Sequence, residues 1–78
     1  MSNIKHISTS GDNEIFTINC IAPNGQDAWY ILQVTKIKAP IFTKNAKAGN
    51  VMDLKQFGKI LHSGYGKQVP DDIINQYK

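Results

Sequence analysis

Cys20 and His62 are the one pair of side chains that could support nucleophilic catalysis, because a cysteine needs a base to form a thiolate at neutral pH. Cys20, however, belongs to an apolar alternation with Phe16 and Ile18, where a free cysteine serves as a small hydrophobic residue. No carboxylate close to His62 in the sequence is placed to orient its ring. These patterns favour a structural cysteine, and we do not expect an enzyme.

Metal binding is not indicated either. His6, His62 and Cys20 are the nitrogen and sulfur ligands available, and they show none of the close paired spacings that bring ligands together on one turn. We therefore expect no metal and no other cofactor.

Residues 63–67, Ser-Gly-Tyr-Gly-Lys, combine two glycines with a lysine, as phosphate-binding loops do. They lack the four-residue spacer and the following helix of a P-loop. We expect the glycines to let the chain turn towards a last helix, with Tyr65 packing over the turn.

The middle of the chain is basic, and all of its positive charges are lysines. Residues 36–59 contain a single acid, Asp53, against six lysines: Lys36, Lys38, Lys44, Lys47, Lys55 and Lys59. Lysines that meet phosphates, with Trp29 and Tyr65 stacking on bases, would make a weak, sequence-tolerant binder of single-stranded nucleic acid. The absence of arginine removes the side chain best suited to bidentate phosphate and base contacts, and a solvated helix face explains the lysines equally well.

A β-hairpin is the clearest element of the sequence. Residues 14–21 and 28–35 are rich in β-branched and aromatic side chains, and the Pro23-Asn24-Gly25 turn lies between them. Trp29 and Tyr30 are neighbours and so point to opposite faces of a strand. One face of the hairpin should pack on a helix, and the other is either covered or forms a contact surface.

The remaining elements complete a ββαβα order. We predict a helix over residues 39–48, a short turn over 54–57 capped by Asp53, a strand over 59–63 and a helix over 70–78. Residues 1–13 are polar and turn-rich, which predicts a flexible leader before a single α+β domain over 14–78. We expect a small, mainly antiparallel sheet with helices packed on one face. The predicted core is Phe16, Ile18, Cys20, Tyr30, Leu32, Val34, Phe42, Leu54, Phe57, Ile60 and Ile74.

Composition supports a small globular protein. The 78 residues are 41% apolar and 19% charged, with a net charge of +3. A single cysteine excludes an internal disulfide and favours a reducing, cytoplasmic setting. No apolar run approaches the roughly 20 residues that a membrane helix needs, so we expect no membrane partner.

A non-catalytic binding or regulatory module, acting through a protein partner or as a homodimer, is the function we favour. Its support is the hairpin with apolar residues on both faces, together with aromatic side chains of the kind that anchor interfaces. Nucleic-acid binding is the alternative. The candidate interaction surface consists of Trp29, Lys36, Lys38, Lys44, Lys47 and Tyr65.

Two stretches, residues 16–30 and residues 53–66 followed by Pro70, resemble a group of small bacterial proteins of similar length. The resemblance covers most of residues 14–77. It implies a bacterial origin and a self-contained domain, and it carries over no functional residue.

Overall fold

A four-stranded antiparallel sheet forms the centre of the α+β fold in the computed structural model, which describes residues 3–47 and 54–77. The strands lie in chain order: β1 (Asn3–Ser10), β2 (Asn13–Ile21), β3 (Asp27–Thr35) and β4 (Gly58–Tyr65). Three helices accompany them: α1 (Ala39–Lys47), α2 (Leu54–Phe57) and α3 (Asp71–Asn75). The predicted α+β class and antiparallel sheet are confirmed. None of the helices within these described ranges is long and apolar enough to cross a bilayer.

The predicted hairpin is present as β2 and β3, with Cys20 opposite Ala28 at its closed end. Two backbone hydrogen bonds close the turn: the Ala22 amide donates to Gln26 O at 2.8 Å, and the Gly25 amide donates to Ala22 O at 2.9 Å. Gly25 has φ of 86°, a conformation that side chains with a Cβ rarely adopt.

β1 occupies much of the region that the sequence suggested was a leader. Ile4 lies opposite Ile18 and His6 opposite Phe16, and a bulge at Ile7 shifts the register before Ser8. The prediction of a flexible leader over residues 1–13 is therefore wrong for Asn3–Ser10. An edge strand needs few apolar residues, so its polar composition resembles that of a loop.

The sheet is covered on both faces, which separates the apolar residues into two cores. The first core lies under α1 and α2 and contains Phe16, Ile18, Leu32, Val34, Ala39 and Phe42, with Ile4, Tyr30, Leu54, Phe57 and Ile60 packed against it. The second core lies on the other face and contains Ile15, Trp29, Ile31 and Val69, with Ile7, Leu61, Ile73, Ile74 and Tyr77 packed against it.

We had expected all the helices to pack on one face of the sheet, but they pack on both faces. Ile73 and Ile74 of α3 pack on the second core, opposite α1 and α2. The physical reason is the composition of the hairpin: Ile15 and Ile31 project from the face opposite Phe16 and Leu32, and their apolar surface has to be covered as well.

Most of the predicted core residues are in place. Nine of the eleven belong to the first core or pack against it, and Ile74 packs against the second core. Cys20 is the exception, since it is only half-buried and belongs to neither core.

α1 is fixed on the sheet by a chain of aromatic contacts. The Phe42 ring meets the Phe16 ring at 5.4 Å between centroids and the Phe57 ring at 5.5 Å. The Thr43 hydroxyl donates to Ala39 O at 2.9 Å within the helix. Ala48, the predicted last residue of this helix, and the predicted Asp53 cap lie outside the described residues.

β4 is longer than the predicted strand over 59–63 and continues through Gly64, which lies opposite Trp29. The indole of Trp29 packs over this glycine: a Cβ added to Gly64 would lie 2.5 Å from Trp29 Cζ2. A second bulge, at Leu61, interrupts the pairing of β4 with β3.

Gly64→Ala should lower the free energy of unfolding by about 1–3 kcal/mol, because the buried indole has no room to move away from the new methyl group. Ser63→Ala is the matched control, since Ser63 is the exposed neighbour in the same strand and should change stability by less than about 0.5 kcal/mol. Urea unfolding followed by Trp29 fluorescence and by circular dichroism measures both. Equal stabilities for the two variants would contradict the placement of Trp29.

Ile4→Ala combined with Ile7→Ala should cost about 2–4 kcal/mol, because these half-buried side chains pack on the first and second cores respectively. Lys5→Ala combined with Ser10→Ala alters exposed positions of the same strand and should cost less than about 1 kcal/mol. Denaturant titrations of the two double variants test this expectation. A flexible leader would make both pairs of substitutions neutral.

Candidate functional site

Cys20 and His62 lie on opposite faces of the sheet. Cys20 is opposite Ala28 and shares a face with Phe16, whereas His62 is opposite Ile31 of the second core. The His62 ring packs edge-on against Tyr77, with 5.6 Å between ring centroids. The histidine therefore cannot take a proton from the thiol, and the only nucleophile–base pair that the sequence offered is not assembled.

Burial raises the pKa of the Cys20 thiol above its ordinary value. Desolvation disfavours the charged thiolate, so the group stays protonated at neutral pH. This is the opposite of the shift found at nucleophilic cysteines.

Residues 3–47 and 54–77 contain no group of three or more side chains that could hold a metal ion. His6 lies opposite Phe16 on β2, four residues from Cys20 and thus about 13 Å away along the strand. His62 is on the other face. The three candidate ligands named in the sequence are not brought together.

Residues 63–67 do not form a phosphate-binding loop. Ser63, Gly64 and Tyr65 continue β4 as extended strand opposite β3. The Gly66 amide is already used, since it donates to Asp27 O at 2.9 Å. Tyr65 is 67% exposed, so the expectation that it packs over the turn is wrong.

Trp29 is only 7% exposed and lies in the second core. It is therefore removed from the candidate interaction surface, because its ring faces are not available for stacking on bases. Tyr65 remains accessible, but it lies opposite Ala28, seven residues from the Thr35 end of β3 and about 23 Å from it. The structure thus separates Tyr65 from the lysines that follow Thr35.

Three of the predicted lysines lie in α1 or in the turn that precedes it. Lys36, Lys38 and Lys44 are all exposed, and in the part of the chain that is described none of them forms an ion pair. Lys47 is the last residue of α1, and its side chain is outside the description.

An open groove lies between α1 and the paired strands β1 and β2. It is at the end of this pair that is farther from the β2–β3 turn. Its volume is about 740 Å³. Its lining residues are His6, Glu14, Phe16, Lys36, Ala39, Pro40, Thr43 and Lys44. The apolar part is formed by Phe16, Ala39 and Pro40, and two lysines stand at its edge.

The strand side of the groove is an interlinked polar cluster on β1 and β2. Glu14 Oε2 pairs with His6 Nε2 and also accepts a hydrogen bond from the Thr9 hydroxyl at 2.9 Å. The His6 ring in turn packs edge-on against Phe16 at 5.4 Å between centroids. The only acid lining the groove is thus engaged by two neighbours.

His6 and Glu14 were not predicted as site residues. Glu14 is at the start of β2, and His6 is in the range taken as a leader, so only the register of β1 against β2 places them side by side. No short-range spacing in the sequence signals this contact.

Two exposed isoleucines lie at the start of α1, Ile37 in the preceding turn and Ile41 in the helix. Ile37 is 86% exposed and Ile41 is 57% exposed. At 3.6 residues per turn, Lys44 lies between Pro40 on the groove side and Ile41 on the outer side. We call the set Lys36, Ile37, Lys38, Ile41 and Lys44 the α1 surface.

Nothing among the family models, the curated proteins or the solved structures matches this chain. The functional argument therefore has to be built from the geometry of the chain itself.

Alkylation of Cys20 by iodoacetamide at pH 8 should be slower in the folded protein than in the urea-unfolded chain. The raised pKa leaves a smaller fraction of the thiol as reactive thiolate at this pH. The pH–rate profile of the folded protein should accordingly be displaced to higher pH. Mass spectrometry of quenched samples gives both rates, and equal or faster labelling of the folded protein would show that the thiol is activated.

Proposed function

We propose that the protein is a non-catalytic binding module that acts through a protein partner or through self-association. The observation that carries the proposal is the α1 surface, where two exposed isoleucines lie among three exposed lysines. The single cysteine supports a reducing, cytoplasmic setting for this activity.

The exposed isoleucines support an interface because their burial would be favourable. Fully burying an isoleucine is worth about 1.5–3 kcal/mol relative to leaving it in water. Ile41 lies in the first turn of α1 and Ile37 lies in the turn that precedes it, only four positions away in the chain, so a partner that covers the start of α1 would contact both. The lysines around them would then set which partners are accepted.

The non-catalytic part of the proposal is supported by the placement of the reactive groups. Cys20 has a raised pKa and lies across the sheet from His62. The groove contains a histidine and a glutamate, but their side chains pair with each other, and Phe16 supports the imidazole ring. Neither side chain lies beside a nucleophilic group in the groove lining.

Nucleic-acid binding is the second candidate, favoured by the three lysines on the α1 surface that form no ion pair within the described ranges. Such lysines would contact phosphates and give a salt-dependent affinity. The burial of Trp29 and the distance of Tyr65 from α1 count against it, since neither ring can stack on a base that lies beside these lysines.

A photo-crosslinking amino acid at position 41 should give a discrete protein adduct in cells that express the chain at its natural level. The matched control is the same amino acid at position 21, because Ile21 is similarly exposed, at 62%, but lies at the far end of β2. The mass of the adduct separates the outcomes: twice the chain's mass means self-association, and another discrete mass means a protein partner. Adducts only to nucleic acid, or equal labelling from both positions, would contradict the proposal.

A further inference from the structure

We propose that the groove beside α1 binds an acidic peptide segment that inserts an apolar side chain against Phe16, Ala39 and Pro40. This inference rests on the proposed function and specifies the chemistry of the partner. The volume of about 740 Å³ is within the range of roughly 300–1,000 Å³ typical of ligand sites. Of the apolar lining residues, Pro40 is exposed, whereas Phe16 and Ala39 are 6% and 8% exposed, and a peptide side chain would cover the apolar surface that remains open to solvent.

The charges around the groove select an anionic occupant. Lys36 and Lys44 line it, and Lys38 is exposed nearby. Glu14 is the one acid in the lining, and it is paired with His6 and hydrogen-bonded to Thr9. Lys36 and Lys44 outnumber Glu14 in the lining, which therefore has a net positive charge, and carboxylates of an inserted segment would meet the two lysines. Asp12 is the acid next to the groove, since its carbonyl oxygen accepts a hydrogen bond from the Lys36 amide at 2.9 Å.

The dimensions of the groove fit a short extended segment. α1 has nine residues and is about 13 Å long, which matches about four residues of extended chain. A segment of that length places an apolar side chain in the middle of the groove and acidic side chains near Lys36 and Lys44. If it continues past Lys44, it reaches Ile41 on the outer side of α1, so the groove and the α1 surface form one continuous contact area.

A peptide fits this site better than a nucleic acid. The floor of the groove is apolar, and Phe16 is almost fully buried, so its ring is not available for stacking on a base. A phosphate backbone would satisfy the lysines but would leave the apolar lining uncovered. An apolar residue between two acids satisfies both parts of the site.

A random library of twelve-residue displayed peptides, selected against the immobilised full chain, tests the inference directly. Selection at near-physiological salt should enrich peptides in which aspartate or glutamate flanks a leucine, isoleucine or phenylalanine. Lys36→Glu combined with Lys44→Glu should weaken the binding of the selected peptides at least tenfold. Lys5→Glu combined with Lys59→Glu makes the same change in net charge at exposed positions away from the groove and should change binding by less than about twofold.

A charge-swapped peptide keeps the test independent of folding. Replacing the acids of a selected peptide by lysines should abolish its binding to the natural chain and restore binding to the Lys36→Glu, Lys44→Glu variant. The proposal is overturned by no enrichment, by enriched peptides that lack acids, or by equal losses in the two double variants. It is also overturned if a twelve-residue oligothymidylate competes fully with the selected peptides at the same salt concentration. Crosslinking at position 41 that succeeds while this selection fails would reject the groove and leave the proposed function standing.

Discussion

The pairing of β2 with β3 is the constraint on which the rest of the structure depends. Nine residue pairs join the two strands, and both strands carry large apolar side chains on each face. Because neither face can be left in water, the chain has to supply cover on both sides of one small sheet. α1 and α2 cover the side of Phe16 and Leu32, and α3 with Val69 covers the side of Ile15 and Ile31. β1 and β4 extend the sheet sideways and contribute an isoleucine or leucine to each core.

The elements that could be predicted from the sequence are those whose signals are local. The Pro-Asn-Gly turn lies between two β-rich runs, and Pro40 with Phe42 marks a helix start, so the hairpin and α1 follow from neighbouring residues. β1 and the face chosen by α3 could not be predicted in the same way, because they depend on pairing and packing between distant parts of the chain. Trp29 shows the limit most clearly: its burial depends on the missing side chain of Gly64, thirty-five positions later.

The residues of the candidate site divide in the same way, into those with a local sequence signal and those placed by long-range pairing. Lys36, Lys38 and Lys44 were predictable because they cluster in the sequence, and Lys36 and Lys44 line the same groove. The contact between His6 and Glu14 in the groove was not predictable, because these residues meet only through the register of β1 on β2. Tyr65 was assigned to the same surface on residue type alone, and the strand that carries it places it at the opposite end of the sheet. Residue type was enough to identify the lysines as candidates. The topology of the chain determines which of the candidate residues share a site.

The two bulges described above lie in the two outer strands, at Ile7 of β1 and Leu61 of β4. A regular outer strand offers an evenly spaced row of amides and carbonyls to any second sheet, and so invites open-ended polymerisation. A bulge breaks that spacing and twists the strand locally. With one bulge at each border, the sheet is poorly suited to grow by adding strands from other copies. The same backbone feature that ends the regular pairing at each border therefore also opposes fibre formation.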